Sequence, residues 1–479
     1  MAAEAIRHAH PLIERYASAE MAGLFSPMQT ALAWRELWIA LAEIQRELGV
    51  DIPEGAIAAM REARERIDLA RVSEIEAETR HDVMAHVRAF AEAAPEAGAY
   101  LHLGATSAFV ADNGSLLQIR DALDLVRGRL MAAIEALSGF AREWKDLPTL
   151  GYTHWQPAQP TTVGKRATLW IEDFVSDLEA VEAISAGLRF RGARGTTGTE
   201  ASFLELFDGD GDRVDTLNER LAERFGFPGV FPVVGQTYPR KLDHRILGAL
   251  AGVGVSAARF GQDVRLLQSF GEMEEPFGEG QVGSSAMPYK RNPMRSERMC
   301  ALGRHLCALE VDAAWTAAAQ GLERTLDDSA NRRIAIPESF LCADAVLRLA
   351  RNVARGLVVH EGAIVARLGR ELPFLLVEEI LLIAVRAGGD RQDAHERIRR
   401  HAMSARDRLH GGATENDFLD RVLEDPDLPV ESADIAELAE PARLTGRAPV
   451  QVERYLLNRV DPLLAAAGDP VADDEEIRV

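Results

Sequence analysis

Residues 115–137 read SLLQIRDALDLVRGRLMAAIEAL. Leu116, Ile119, Leu123, Val126, Leu130, Ile134 and Leu137 succeed one another at spacings of three and four, the signature of one apolar helix face. The pattern predicts a long helix over about 114–146. Four further runs of the same kind cover roughly 161–188, 240–270, 293–320 and 336–358. Five long helices in the middle of a chain read as a bundle. A solenoid needs a fixed repeat of about 20–50 residues, and none is present. Alternating strand patterns and βαβ units are nearly absent, so the expected class is all-α.

Outward from the bundle the pattern shortens. Ser26-Pro27 and Gly49 bracket a helix whose apolar face is Trp34, Leu37, Trp38, Leu41, Ile44 and Leu48. Breaks become frequent before residue 106 and after 360. The expectation is three domains: an N-terminal helical one over 1–106, the bundle over 107–359, and a C-terminal helical one over 360–479. A length of 479 residues agrees with that number. Three cysteines are too few for a disulfide framework or a structural zinc site. The first residues, MAAEAIRHAHPLIERY, hold no apolar core of signal-peptide length, and no stretch approaches about 18 uncharged apolar residues. No membrane partner is expected, and the cytoplasm is the expected compartment. The balance of 54 basic against 75 acidic residues, net −21, argues against nucleic acid as a partner. Local clusters of charge then decide what binds, because screening limits the whole-chain field to about 8 Å.

Two glycine-rich stretches interrupt the bundle. RFRGARGTTGTEAS (189–202) lacks the Gly-Lys-Ser/Thr of a phosphate loop and reads as a tight turn. PFGEGQVGSSAMPYKRN (276–292) is different. Asn292-Pro293 suits a helix start, with Asn as cap and Pro in the first turn. Met287-Pro288-Tyr289 beside two serines and the basic run Lys290, Arg291, Arg295 and Arg298 has no packing rationale. Positive charge at a helix N-terminus fits a carboxylate or phosphate, and a glycine-hinged segment carrying it fits a lid.

GSSAMPYKRNP resembles the signature loop of the fumarase/aspartase superfamily. RHDVMAH (80–86), HLGATS (102–107), GYTHWQPAQ (151–159), GQTYPRK (235–241), RTLDDSANRR (324–333), ELPF (371–374) and TGRAP (445–449) narrow the resemblance to the adenylosuccinate lyase family, nearest its animal-type members. That resemblance implies a β-elimination of fumarate from succinylated purine nucleotides, without a metal or other cofactor. Such chemistry needs a base for the proton beside a carboxylate, an acid for the leaving nitrogen, and donors for the carboxylate that gains charge. By resemblance Ser284 is the base, with Lys290 and backbone N–H groups stabilising its alkoxide. His154, flanked by Thr153 and Gln156-Pro157-Ala158-Gln159, is the acid. His81, between Arg80 and Asp82, matches a site histidine that orients the acid or touches substrate. Arg15, Tyr16, Arg324, Ser329 and Arg333 match nucleotide-binding positions. Thr106, Ser107, Gln236, Lys290, Asn292 and Arg298 match positions that hold the succinyl carboxylates or the base. Arg332-Arg333 could instead pair with Asp327 and Asp328 on a solvated face.

Helix geometry adds a separate expectation. A 30-residue helix is roughly 45 Å long. If the first two long helices are antiparallel neighbours, their N-termini lie at opposite ends of the bundle, and Thr106 and His154 of one chain cannot hold one substrate. The site closes only with other subunits, in line with the family's homotetramer, whose core has twenty helices and whose sites combine three subunits. The excursion over 189–239 leaves the direction of the third helix open.

Overall fold

The computed structural model describes residues 10–278, 280–438 and 440–467, and they are mostly helical. The principal helices are α1 (Pro27–Glu47), α2 (Asp82–Ala93), α3 (Ser107–Glu143), α4 (Val163–Gly187), α5 (Lys241–Ser269), α6 (Met294–Ala319), α7 (Asp328–Gly356) and α8 (Glu361–Leu375). The five from α3 to α7 are the expected bundle, and the all-α class holds. Ser26 caps α1 as its sequence suggests, its hydroxyl accepting from Gln29 N–H at 3.2 Å.

Contacts along the bundle fix its directions. Val163 N–H donates to Leu147 O and Gly164 N–H to Trp144 O, so α4 turns straight back along α3. Trp170 Nε1 donates to Asp263 on α5 at 2.7 Å. The helices α5 and α6 run antiparallel at very short range: a Cβ on Gly303 would lie 2.4 Å from Gly254 O, and one on Gly261 2.9 Å from Ser296 O. Cys342 on α7 donates to Leu302 O on α6, again antiparallel. One end of the bundle therefore gathers the N-termini of α3, α5 and α7. The other gathers those of α4 and α6. Along the 29-residue α5 the two ends are roughly 43 Å apart.

One apolar core runs from Leu12 through the bundle to Val460. A second, over Leu376–Ile435, belongs to the C-terminal region. No helix among the described residues is long and apolar enough to cross a membrane.

Two helix starts and one hairpin differ from the sequence expectation. The helix α3 starts at Ser107, seven residues before the reading at 114, since Gly114 does not break it: its missing Cβ admits Trp34, whose ring would lie 2.9 Å from that atom. Ser115 lies inside the helix, and its hydroxyl donates to Ala111 O one turn back. The last bundle helix starts at Asp328, ahead of the expected run from about 336, and continues through Pro337. The third difference is a hairpin. Pro148–Thr153 (β1) pairs antiparallel with Gln156–Thr162 (β2), with an irregularity between Leu150 and Gly151 opposite Pro160. Prolines at 157 and 160 hide this strand from a pattern search.

Candidate active site

At the end formed by α3, α5 and α7, a cavity of about 1350 Å³ opens. The helices α2, α3 and α7 all begin on it, through Asp82, Ser107 and Ser329. Helix N-termini carry unpaired N–H groups and partial positive charge, so their convergence favours an anion. Arg80, Arg324 and Arg333 add guanidinium groups around it. Of the residues singled out from sequence, the cavity gathers Arg80, His81, Asp82, Thr106, Ser107, Gln236, Arg324, Ser329 and Arg333.

Each is held by neighbours. Arg80 ends its helix in the left-handed conformation (φ 53°), which lets His81 turn and cap α2. The His81 Nδ1 accepts from Met84 N–H at 3.3 Å. Its Nε2 meets Ser107 Oγ at 3.3 Å. Gln236 N–H donates to Glu323 O, and Arg324 Nη1 donates to Gln236 Oε1 at 2.8 Å. Thr106 Oγ1 and Arg324 Nε are buried without a hydrogen-bond partner among the described residues. Burial opposes the charge on Asp82, but Val83 N–H and Arg333 outweigh it and hold its carboxyl below the usual range.

Sequence reasoning missed the cavity floor. Arg240 Nη2 donates to Asp112 Oδ1 at 2.9 Å and its Nε to Asp328 Oδ2 at 2.7 Å, all three side chains being buried. Arg332 donates to Asp243 at 2.8 Å and lies over the Tyr238 ring. Neither Arg332 nor Arg333 pairs with Asp327 or Asp328 on a solvated face. Arg332 is inside with Asp243, and Arg333 reaches Asp82. The 189–202 stretch does more than turn: Thr196 and Thr197 line the cavity, on a loop whose base is fixed by the buried Arg191 donating to Gly192 O, Gly195 O and Gln236 O. The clustered threonines were its one legible signal. Replacing Arg240 with Met strands two buried carboxylates, so the chain should lose about 3–5 kcal/mol of stability, read as a lowered midpoint in chemical denaturation.

The remaining residues lie away from this cavity. His154 and Trp155 form the two-residue tip of the β1–β2 hairpin, both with positive φ (50° and 62°), the pattern of a type I′ turn. Asn-Gly is the usual pair there. A histidine and a tryptophan in that conformation cost about 1–2 kcal/mol each. Both are exposed, as is Thr153 at the last rung.

The signature loop leaves the same end of the bundle. Ser284 Oγ accepts from Ala286 N–H at 3.4 Å and Met287 N–H at 3.2 Å. The loop is pinched shut at its base: Asn292 Nδ2 donates to Gly283 O at 2.7 Å, and a Cβ on Gly283 would lie 2.2 Å from Lys290 O. Asn292 is thus a loop clamp, not the cap of α6, and α6 begins after Pro293. Its cap comes from twenty residues upstream, where the buried Glu275 carboxylate accepts from Arg295 N–H at 2.9 Å and Ser296 N–H at 2.8 Å. The basic run divides as well. Arg291 pairs with Glu274 at 3.0 Å, Arg295 is buried, and the Lys290 side chain is exposed. Arg298 lies over the Tyr16 ring at 5.5 Å, and Arg15 approaches the same ring. One chain therefore carries two sets of groups at opposite ends.

Comparison with known proteins agrees with this architecture. The family model described as Lyase matches residues 27–307, and the one described as Adenylosuccinate lyase C-terminus matches 373–455. The adenylosuccinate lyase of Saccharomyces cerevisiae is 46% identical over 474 residues, 98% of each chain. That of Schistosoma mansoni is 45% identical over 473 residues, again 98% of each. The crystal structure of a fumarate lyase from Mesorhizobium sp. BNC1 superposes with a TM-score of 0.81 at 26% identity, covering 93% of this chain and 99% of its own. The long-helix bundle is that of a lyase. Within that class, the chain belongs to the adenylosuccinate lyase family.

Proposed function

We propose that this chain cleaves adenylosuccinate to AMP and fumarate, and succinylaminoimidazole carboxamide ribotide to its aminoimidazole carboxamide ribotide and fumarate, in the cytoplasm. It does so as a homotetramer whose sites each combine three subunits. The observation that carries this reading is the separation, by roughly 43 Å of helix, of the hairpin and signature loop from the anion-favouring cavity. Another copy must supply what one end lacks.

In the assembled site Ser284 removes the proton from the carbon beside a succinyl carboxylate. Serine acts as a base only as its alkoxide, and the N–H groups of Ala286 and Met287 already point at its oxygen. Lys290 adds a positive charge from the same loop. The carboxylate that gains charge is held by Thr106, Ser107, Gln236, Asn292 and helix N-termini. His154, at the hairpin tip, protonates the departing nitrogen, and His81 with Arg80 and Asp82 orients acid and substrate. Arg298 joins the groups that hold the succinyl carboxylates or the base, while Arg15, Tyr16, Arg324, Ser329 and Arg333 hold the nucleotide, guanidinium groups gripping phosphate in bidentate fashion.

Supplying each succinyl nucleotide in turn and following fumarate by its ultraviolet absorbance tests the assignment. Fumarate from both is the expected result. Turnover of argininosuccinate alone would move the chain to another branch of the class. Silence with every substrate would leave it a structural protein.

A further inference from the structure

The base of the β1–β2 hairpin is clamped by a group outside the signature segments. Arg367, on α8, donates from Nε to the Tyr152 hydroxyl at 2.6 Å, two residues before His154. The same guanidinium lies 4.1 Å over the Phe270 ring at the end of α5, and Tyr152 stacks on Phe270 with centroids 5.5 Å apart. Glu272, buried, sits 3.4 Å from Arg367 Nε. Leu150, on the same strand as Tyr152, packs with Leu368 and Leu375 of α8. The helix α8 is itself keyed to this end of the bundle. Its preceding strand β4 (Val358–Val359) pairs with β3 (Met273–Glu274), and His360 N–H donates to Glu272 O.

These contacts leave the tip exposed and fix the strand leading to it. We infer that Arg367 is a positioning residue: acting through Tyr152 and Phe270, it makes the C-terminal region set where the His154 imidazole stands. The inference rests on the reading of His154 as the proton donor. A misplacement of about 1 Å at a reacting group can cost on the order of a hundredfold in rate. A hairpin that carries its own turn strain, and whose tip is exposed, depends on its base for that placement.

The test uses the full-length enzyme and five variants: Arg367→Met, Arg367→Lys, Tyr152→Phe, His154→Ala, and Arg367→Met combined with His154→Ala. Arg367→Met and Tyr152→Phe should each lower kcat about tenfold with KM within about twofold, and Arg367→Lys should recover part of the loss. Tyr152→Phe keeps the ring stack and removes only the acceptor, so it reports even if Arg367→Met fails to assemble. In the His154→Ala background, Arg367→Met should change the residual rate by less than about twofold, because a group acting through His154 has nothing left to position. An unchanged kcat in Arg367→Met and Tyr152→Phe overturns the inference, as does a tenfold loss that persists in the His154→Ala background. Near-normal turnover by His154→Ala alone is a different failure: it removes the acid assignment itself, and the positioning role falls with it.

Discussion

Replacing Ser284 with alanine should lower turnover by at least about a hundredfold while leaving the fold intact, since a positioned proton-transfer group is worth about 10²–10⁴ in rate. The hydroxyl is the acceptor for two backbone N–H groups on an exposed loop, so its removal strands no buried donor and water takes its place. His154→Ala should show the same pattern for a related reason. The imidazole is exposed, and the hairpin is fixed at its base by Tyr152 and Leu150. Single-turnover kinetics, circular dichroism and mass in solution together check the claim. A turnover near the unmodified enzyme in either variant contradicts the role given to that residue.

The second large effect is a gain. His81→Ala damages the cavity end of the chain, and His154→Ala damages the hairpin end. Each alone should be nearly inactive. Co-expressed, or unfolded together and refolded, they should regain activity, because some sites then draw an intact cavity from one chain and an intact hairpin from another. Random association of symmetric subunits gives about one quarter of the sites both intact parts. The comparison is the mixed sample against each parent at equal total protein. Activity that stays at the parental level means that one chain builds its own site, against the separation of its two ends. Mixing Ser284→Ala with His154→Ala provides a further comparison, since both residues sit at the same end of the bundle.

The long helices were legible because burial imposes a period that the sequence keeps, as in Leu116 through Leu137. Their ends were less so. The starts expected near 114 and 336 lie inside the helices, which begin at Ser107 and Asp328, and Trp34 occupies the space beside Gly114. The hairpin was illegible. Its turn is a histidine and a tryptophan where asparagine and glycine are expected, and its second strand carries two prolines. The candidate site was legible as a set of residues and as two distant ends, because helix length alone separates Thr106 from His154. Its supports were not. Asp112, Arg240, Arg332, Glu275 and Arg367 act through partners dozens to hundreds of residues away, apart from Glu275, whose partners are twenty on. No local pattern announces such pairs.

The clamp between Gly283 and Asn292 has a thermodynamic meaning of its own. A segment tethered at a single stem has already surrendered most of the wandering that a free strand of its length enjoys. With its stem already closed, recognition by this loop is spared the ordering of eight independent links. Exchanging Asn292 for alanine severs the stem and should weaken affinity, through the freed loop as well as through the lost carboxylate contact, even though Ser284 is untouched.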